Sequence, residues 1–154
     1  ELDGMEYDEA LKLAQQLGYA EADPTADVEG FDAVAKVVIL ANALMGGKIK
    51  PEEVRRQGIS HLRKKDIQAA REAGLRYKLV ASVKKDGEKI EASVAPEKLP
   101  LSDPLAGVMG AQNALTFETD LMGKVTIQGA GAGRTETGFS ILSDMLAISR
   151  CRKR

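Results

Sequence analysis

Asp32 and Lys36 lie four residues apart in "FDAVAKVVILANALMGG", a stretch that is otherwise almost entirely apolar. Residues at i and i+4 share a face of an α-helix, so this carboxylate and this ammonium project together. A helix that is apolar nearly all round is normally buried, which predicts partly desolvated surroundings for the pair. Burial lowers the pKa of a lysine, and such a lysine suits acid/base chemistry. The spacing also fits an ordinary ion pair, worth about 0.3–0.5 kcal/mol on an exposed helix face. Both interpretations stay open on these residues alone.

An acidic loop precedes this helix. Glu21, Asp23 and Asp27 lie within "GYAEADPTADVEG". Each has a plain structural interpretation: Asp27 as the N-cap of the helix, Asp23 in an Asx-turn before Pro24, and Glu21 as a solvated charge. A ligand with an ammonium group would need the same carboxylates, and the residue types do not decide between these roles.

A glycine-rich loop, "GAGAGRTETG" from Gly129 to Gly138, stands between a predicted strand and a predicted helix. Backbone N–H groups at a helix N-terminus can bind anions. The spacing departs from the dinucleotide fingerprint, and the chain after Gly133 is too short for the strand and acidic residue that this fingerprint requires. The loop is therefore either a tight turn with close backbone packing or a loop that touches a cofactor held elsewhere.

The order of the predicted elements indicates an α+β fold, because helices come first and strands follow. Period-two alternation predicts two hairpins, the first closing at Asp86-Gly87, a strong turn signal, and ending at Pro96 and Pro100. We therefore predict helices followed by a mostly antiparallel or mixed sheet, with the helices packed on one face and a C-terminal helix. The predicted helices are Tyr7–Leu17, Asp27–Met45, the short "PEEVRRQ", Lys64–Ala73 and about Thr135–Arg150; the predicted strands are "LRYKLVASVKK", "EKIEASVAPEKL", "NALTFETD" and "GKVTIQGA".

Charge and composition argue against several classes of function. The chain has 154 residues, with 22 basic and 23 acidic side chains and a net charge of −1, which does not favour a nucleic-acid or membrane-surface partner. The basic runs "RKK" and "RCRKR" are too local to change this. No apolar run approaches the length of a membrane span. One cysteine, Cys151, and one histidine predict no disulfide and no metal cluster, which suits the reducing cytoplasm.

With these stretches in view, the chain resembles the homoserine dehydrogenases. The central match is "GYAEADPTADVEGFDAVAK", Gly18 to Lys36, which satisfies each position of the family pattern from its Gly-Tyr to its lysine. Gly58-Ile59, "PLAGVMGAQNA" and "GAGAGRTETGFSILSD" are similar to further landmarks of the family, in the same order. The resemblance covers essentially the whole chain.

The resemblance implies an NAD- or NADP-dependent interconversion of L-homoserine and L-aspartate 4-semialdehyde, in the biosynthesis of threonine, methionine and isoleucine. It places the family's acid/base lysine at Lys36. The substrate contacts that it implies are Glu21 and Asp32, with Asp27 and Asp23 as second choices. It also places the backbone of Gly133 near the cofactor.

The resemblance further implies that residues 1–132 form a catalytic and dimerisation domain, and that residues 133–154 form a helix that returns to a nucleotide-binding domain. That domain is absent from this sequence, so we predict that the chain alone is inactive and that the apolar face of its last helix lies open. Part of the sheet would form a homodimer interface. The alternative is a non-catalytic dimerisation or amino-acid-binding module of the same fold, in which Lys36 is only a structural partner of Asp32.

Overall fold

The computed structural model describes residues 4–152, in which most of the predicted helices and strands are present. The helices are α1 (Tyr7–Gln16), α2 (Thr25–Val28), α3 (Phe31–Leu44), α4 (Lys64–Glu72) and α5 (Arg134–Cys151), with 3₁₀ turns at Pro51–Glu53 and Pro104–Gly107. The strands are β1 (Arg55–Arg56), β2 (Leu75–Asp86), β3 (Lys89–Pro100), β4 (Gln112–Thr119) and β5 (Gly123–Ala130). The chain divides into two compact units, the first ending at Ala106 and the second beginning at Gly107. The functional division predicted between residues 132 and 133 stays a prediction.

A three-stranded mixed sheet with the order β1-β3-β2 is the centre of the first unit. Strands β2 and β3 form a long antiparallel hairpin whose pairing runs from Leu75 opposite Pro100 to Asp86 opposite Lys89. Gly87 in the connecting turn has a φ of +57°, a conformation that favours glycine. The short β1 runs parallel to β3, with Arg56 opposite Val94. The α+β prediction is confirmed.

The core of the first unit lies between α3 and this sheet. Val34 and Val37 of α3 are buried against Ala92 and Val94 of β3, and Val54 closes the cluster. Residues 34, 37 and 41 recur at helical spacing, whereas 92 and 94 alternate along a strand, so each element presents one apolar face to the other. This packing fixes the orientation of α3 relative to the sheet.

The second unit contains the β4–β5 hairpin and α5. Strands β4 and β5 pair from Gln112 opposite Ala130 to Thr119 opposite Gly123, as the alternation predicted. On this hairpin the hydroxyls of Thr116 and Thr126 lie 2.9 Å apart across the strands and form a hydrogen bond. Every described residue from Gly131 onward is exposed, including the whole of α5. No helix within residues 4–152 combines the length and the apolar character needed to cross a membrane.

The predicted helix "PEEVRRQ" is wrong beyond its first turn. Only Pro51–Glu53 form a 3₁₀ turn, after which Val54 is buried and the two arginines form β1. The N–H of Gln57 donates to the carbonyl of Val94 at 2.8 Å, so pairing with β3 overrides the local helical pattern.

Pro96 does not end β3 as predicted, because the strand continues to Pro100. The backbone groups of a strand point to alternate edges, so Pro96 faces the same edge as Val94, whose carbonyl accepts from Gln57. Strand β1 pairs only with Ser93 and Val94 and stops short of Pro96. The missing N–H of the proline therefore breaks no hydrogen bond to β1.

Candidate functional site

The Asp32–Lys36 pair lies on the first turns of α3. Lys36 Nζ is 2.7 Å from Asp32 Oδ2, which confirms that the two side chains share a face. The prediction of desolvated surroundings is wrong for this chain, because the side chains of Lys36 and Asp32 are 55% and 49% exposed. Helix α3 is apolar nearly all round, but the sheet covers only the face that carries Val34, Val37 and Ala41.

The uncovered side of α3 is rich in large apolar side chains. Phe31, Ile39 and Leu44 on this helix are all exposed, at 49%, 65% and 60%. Exposed apolar surface of this extent next to charged groups is typical of a face that packs against a ligand or another protein surface. The ion pair therefore shares its helix with exposed apolar side chains, and Ile39 is the one of these three whose helical position is next to it.

The acidic loop before α3 is held by its own hydrogen bonds. Asp23 Oδ1 accepts from the N–H of Thr25 at 3.1 Å and from its hydroxyl at 2.6 Å, which confirms the predicted Asx-turn. The hydroxyl bond, and after it the N–H bond, lower the pKa of Asp23. On the other side of the loop, Gln15 of α1 donates through Nε2 to the carbonyl of Glu21 at 2.9 Å.

Asp27 is not the N-cap of α3, as the sequence predicted. It lies inside the single turn of α2, and Gly30 occupies the N-cap position of α3 with a φ of +77°. The N–H of Gly30 donates to the carbonyl of Asp27, so the chain turns sharply between the two helices. An aspartate would be strained in this left-handed conformation, which glycine adopts readily.

The structure brings together only some of the predicted site residues. In the part of the chain that is described, Lys36 pairs with Asp32, and none of Glu21, Asp23 and Asp27 forms an ion pair with it. The three loop carboxylates are exposed. They are thus available to a ligand but not organised around the lysine by direct contacts.

Sequence reasoning missed the contacts that fix the start of α3. Arg56 of β1 donates to the carbonyl of Glu29, lies 3.7 Å from the Glu29 carboxylate, and stacks on Phe31 with its guanidinium carbon 3.8 Å from the ring centroid. Nearby, the N–H of Ile59 donates to the carbonyl of Val28 at 2.8 Å. The Gly58-Ile59 landmark was a signal that this segment matters, but nothing local points from Arg56 to residues 27 positions earlier.

The other end of α3 is fixed as well. Asn42 accepts from the N–H of Ile49 and donates to the carbonyl of Ile49, both at 3.0 Å. Lys85 donates through Nζ to the carbonyl of Met45 at 2.7 Å, which suits the negative end of the helix macrodipole. Held at both ends and packed on the sheet, α3 presents the Asp32–Lys36 pair on a fixed element.

The glycine loop of the second unit shows the close packing that was predicted. A Cβ on Gly131 would lie 2.3 Å from the side chain of Asn113. Gly133 is the N-cap residue of α5 with a φ of +141°, a conformation that favours glycine. The backbone at the start of this long helix is exposed, so it suits contact with a polar or anionic group. No group of three or more His, Cys, Asp or Glu side chains within residues 4–152 could hold a metal ion.

Comparison with known proteins identifies the family. The homoserine dehydrogenase family profile matches residues 1–146 of the chain. The chain belongs to the homoserine dehydrogenase family. Among curated homoserine dehydrogenases, it is 47% identical over 152 residues to an NAD(+)-dependent homoserine dehydrogenase of Pseudomonas canavaninivorans, covering 98% of this chain and 43% of that protein. It is 42% identical to the homoserine dehydrogenase of Methanocaldococcus jannaschii, covering all of this chain and 44% of that protein.

Solved homoserine dehydrogenases share its fold. The structure of the S. aureus homoserine dehydrogenase at pH 6.0 superposes with a TM-score of 0.89 at 37% identity, covering 99% of this chain and 39% of that one. A hyperthermophilic archaeal homoserine dehydrogenase in complex with NADPH gives a TM-score of 0.73 at 34% identity, covering 94% of this chain and 40% of that one. The chain thus spans about two fifths of the length of these homoserine dehydrogenases.

Proposed function

We propose that this chain carries the acid/base and substrate-binding part of an enzyme that interconverts L-homoserine and L-aspartate 4-semialdehyde. The observation that carries this proposal is the Asp32–Lys36 ion pair, 2.7 Å between Nζ and Oδ2, on an α3 held at both ends. It stands at the end of the acidic loop by which the sequence resembles the family. Membership of the homoserine dehydrogenase family supports the reaction class.

In this proposal Lys36 moves the proton at Nζ. It protonates the aldehyde oxygen when the semialdehyde is reduced, and it accepts the hydroxyl proton when homoserine is oxidised. Asp32 holds the ammonium in place across one helical turn. Because Lys36 is half exposed on the described surface, substrate can reach it directly, and the apolar side chains beside it can exclude water once the site is covered.

The loop carboxylates bind the substrate. Glu21 takes the amino group of homoserine or the semialdehyde, with Asp27 and Asp23 as further candidates and Asp32 at the same site. The exposure of Glu21, Asp23 and Asp27 supports this role for the three loop carboxylates, since they form no ion pair with Lys36 that would weaken their attraction for the substrate ammonium, whereas Asp32 already pairs with Lys36. Fixing the orientation of a reactant can lower a barrier by several kcal/mol, with an upper range of about 7–11 kcal/mol.

A nicotinamide cofactor, NAD or NADP, supplies the hydride acceptor or donor when it is bound. One relative is described as NAD(+)-dependent, and another was solved with NADPH. The exposed backbone of Gly133 at the start of α5 fits a contact with such a group. The spacing of the glycine loop departs from the dinucleotide fingerprint, so we assign most of the cofactor binding to a separate domain.

The proposal extends to the whole protein. We assign residues 1–132 to catalysis and dimerisation and residues 133–154 to a helix that packs on the nucleotide-binding domain. The complete protein would act as a homodimer in the cytoplasm, in the synthesis of threonine, methionine and isoleucine. The exposed apolar face of α5, with Phe139, Leu142 and Leu146, supports a packing role for this helix.

The decisive experiment replaces Lys36 in the complete gene product. We expect Lys36→Ala to lower the maximal rate by about 10²–10⁴, the usual contribution of a general acid/base, while the fold and the KM for the cofactor stay unchanged. Lys48→Ala, at an exposed lysine just beyond α3, is the matched control and should keep the wild-type rate. Wild-type turnover by Lys36→Ala would favour the non-catalytic module of the same fold instead.

A further inference from the structure

We infer that Arg56 is a positioning residue that sets the direction in which α3 presents Asp32 and Lys36. This inference rests on the proposed function, since it concerns the geometry of the same site. Arg56 is 27 residues from Glu29 in sequence and lies in β1, a strand of two residues that pairs with the central strand β3. It thus connects the three-stranded sheet of the first unit to the first turn of α3.

Three contacts of one guanidinium enclose the N-cap of α3. Arg56 donates to the carbonyl of Glu29, pairs with the Glu29 carboxylate at 3.7 Å, and stacks on the ring of Phe31 at 3.8 Å. Glu29 and Phe31 are the residues on either side of the N-cap Gly30. A planar guanidinium can donate a hydrogen bond while its face stacks on an aromatic ring, which a lysine ammonium cannot do. The direction in which the chain enters α3 is therefore fixed on both sides by a single side chain.

The backbone between these contacts is closely packed at Gly30 and Gly58. A Cβ on Gly30 would lie 3.1 Å from Val94 Cγ1 and 3.8 Å from Arg56 Cγ. A Cβ on Gly58 would lie 2.6 Å from the carbonyl of Val28 and 2.7 Å from Glu29 Cα. Residues 28–30 thus pack closely against Gly58 and against Val94 of β3, and Asp32 follows two residues later.

The positive charge of Arg56 is not explained by stabilisation of α3. A cation near the N-terminus of a helix opposes the macrodipole and is unfavourable there. The Glu29 carboxylate, whose side chain is 35% exposed, offsets this repulsion. A hydrophobic side chain could fill the same space without that repulsion, so the arrangement favours a residue kept for the directed contacts it makes.

The test compares Arg56→Met with Arg55→Met in the complete gene product. Arg55 is the neighbouring residue on β1 and is also exposed, so it controls for the loss of one charge from this strand. We expect Arg56→Met to lower kcat for homoserine oxidation at least tenfold, because small misplacements of a catalytic group carry large rate penalties. The KM for the cofactor should stay at the wild-type value, and Arg55→Met should keep the wild-type kcat. A kcat of Arg56→Met within twofold of that of Arg55→Met would overturn the inference, whatever the change in Tm.

Conservative replacement separates positioning from folding. Arg56→Lys keeps a cation for Glu29 but loses the planar guanidinium that stacks on Phe31, so we expect a kcat between those of wild type and Arg56→Met. If Arg56→Met does not fold, the comparison of Arg56→Lys with Arg55→Lys replaces it, and equal kcat values for these two would overturn the inference.

The two proposals fail in different ways. A wild-type rate in Lys36→Ala would reject the proposed function itself. A large loss in Lys36→Ala together with a wild-type kcat in Arg56→Met would reject only the role of Arg56.

Discussion

Asp23 shows how hydrogen bonds can lower the pKa of an exposed carboxyl group. Its carboxylate accepts from both the hydroxyl and the N–H of Thr25, and these bonds lower its pKa in the folded protein. A carboxyl group with a folded pKa below its unfolded value stabilises the fold at pH values above the unfolded pKa, about 3.9 for aspartate. That contribution is lost as the pH falls through the folded pKa.

We therefore predict that Thr25→Val raises the pKa of Asp23 toward its ordinary value. Thr25→Val should have a lower free energy of unfolding than wild type at pH 7. This difference should vanish in strong acid, where Asp23 is protonated in both proteins. NMR titration of the Asp23 carboxyl carbon and urea unfolding at both pH values measure the two effects. Thr25→Ser keeps the hydroxyl and is the control; equal pKa values of Asp23 in Thr25→Ser and Thr25→Val would contradict the prediction.

Local spacing predicted the contact between Asp32 and Lys36, because residues four apart on a helix are neighbours in any context. It could not predict their exposure, since that depends on which surface covers the helix. The contact between Arg56 and Glu29 could not be predicted from the sequence for a related reason. It follows from the parallel pairing of β1 with β3, which no short window of sequence encodes.

Gly30 decides where α3 begins. Its φ of +77° is one that other residues adopt at a cost of roughly 1–2 kcal/mol, and its Cα faces Val94. We predict that Gly30→Ala lowers the free energy of unfolding by more than this amount, because the new methyl group would lie 3.1 Å from Val94 Cγ1.

Gly18→Ala is the matched control for this prediction. Gly18 has nearly the same φ, +75°, but nothing lies within 4 Å of the position of its Cβ. Gly18→Ala should therefore lower the free energy of unfolding only by the cost of the positive φ. Urea unfolding of Gly30→Ala and Gly18→Ala measures the difference between them. Equal destabilisation by the two substitutions would show that Val94 gives way and that the start of α3 is not tightly packed.

Most helices and strands follow from local patterns, and the exceptions have physical reasons. The alternation in "LRYKLVASVKK" and the turn signal near Gly87 predicted the β2–β3 hairpin, and period 3.6 predicted α1, α4 and α5. Strand β1 was missed because "PEEVRR" reads as a helix until pairing with Val94 is known. The N-cap of α3 was misplaced because Asp27 is a good capping residue, whereas the reversal at Gly30 depends on packing against the sheet.

Each of the two units exposes large apolar side chains on one of its helices. Phe31, Ile39 and Leu44 are exposed on α3, and α5 exposes a row that includes Phe139 and Leu142. Curated relatives that match the full chain are more than twice its length. These observations support a protein whose activity needs more than the residues described.

We predict that the 154-residue chain alone has negligible turnover, because we assign the adenosine and pyrophosphate of the cofactor to a separate domain. NADP- and NAD-dependent oxidation of homoserine by the purified chain is the measurement, with circular dichroism to establish that the chain is folded. Robust oxidation by the folded chain would contradict the assignment of the cofactor to a separate domain.

The nested pairing of β2 with β3 has a consequence for how the first unit is made. Each pair beyond the Gly87-Glu88 turn closes only a slightly longer loop than the pair before it, so the hairpin can zip from its tip with little loss of chain entropy at each step. Contacts between sequence neighbours form fast, whereas the joining of Arg56 to Glu29 must wait for β3. We expect the β2–β3 hairpin to form early in folding and α3 to pack on it afterwards. The helix that carries Lys36 would then be among the last elements to reach its native position.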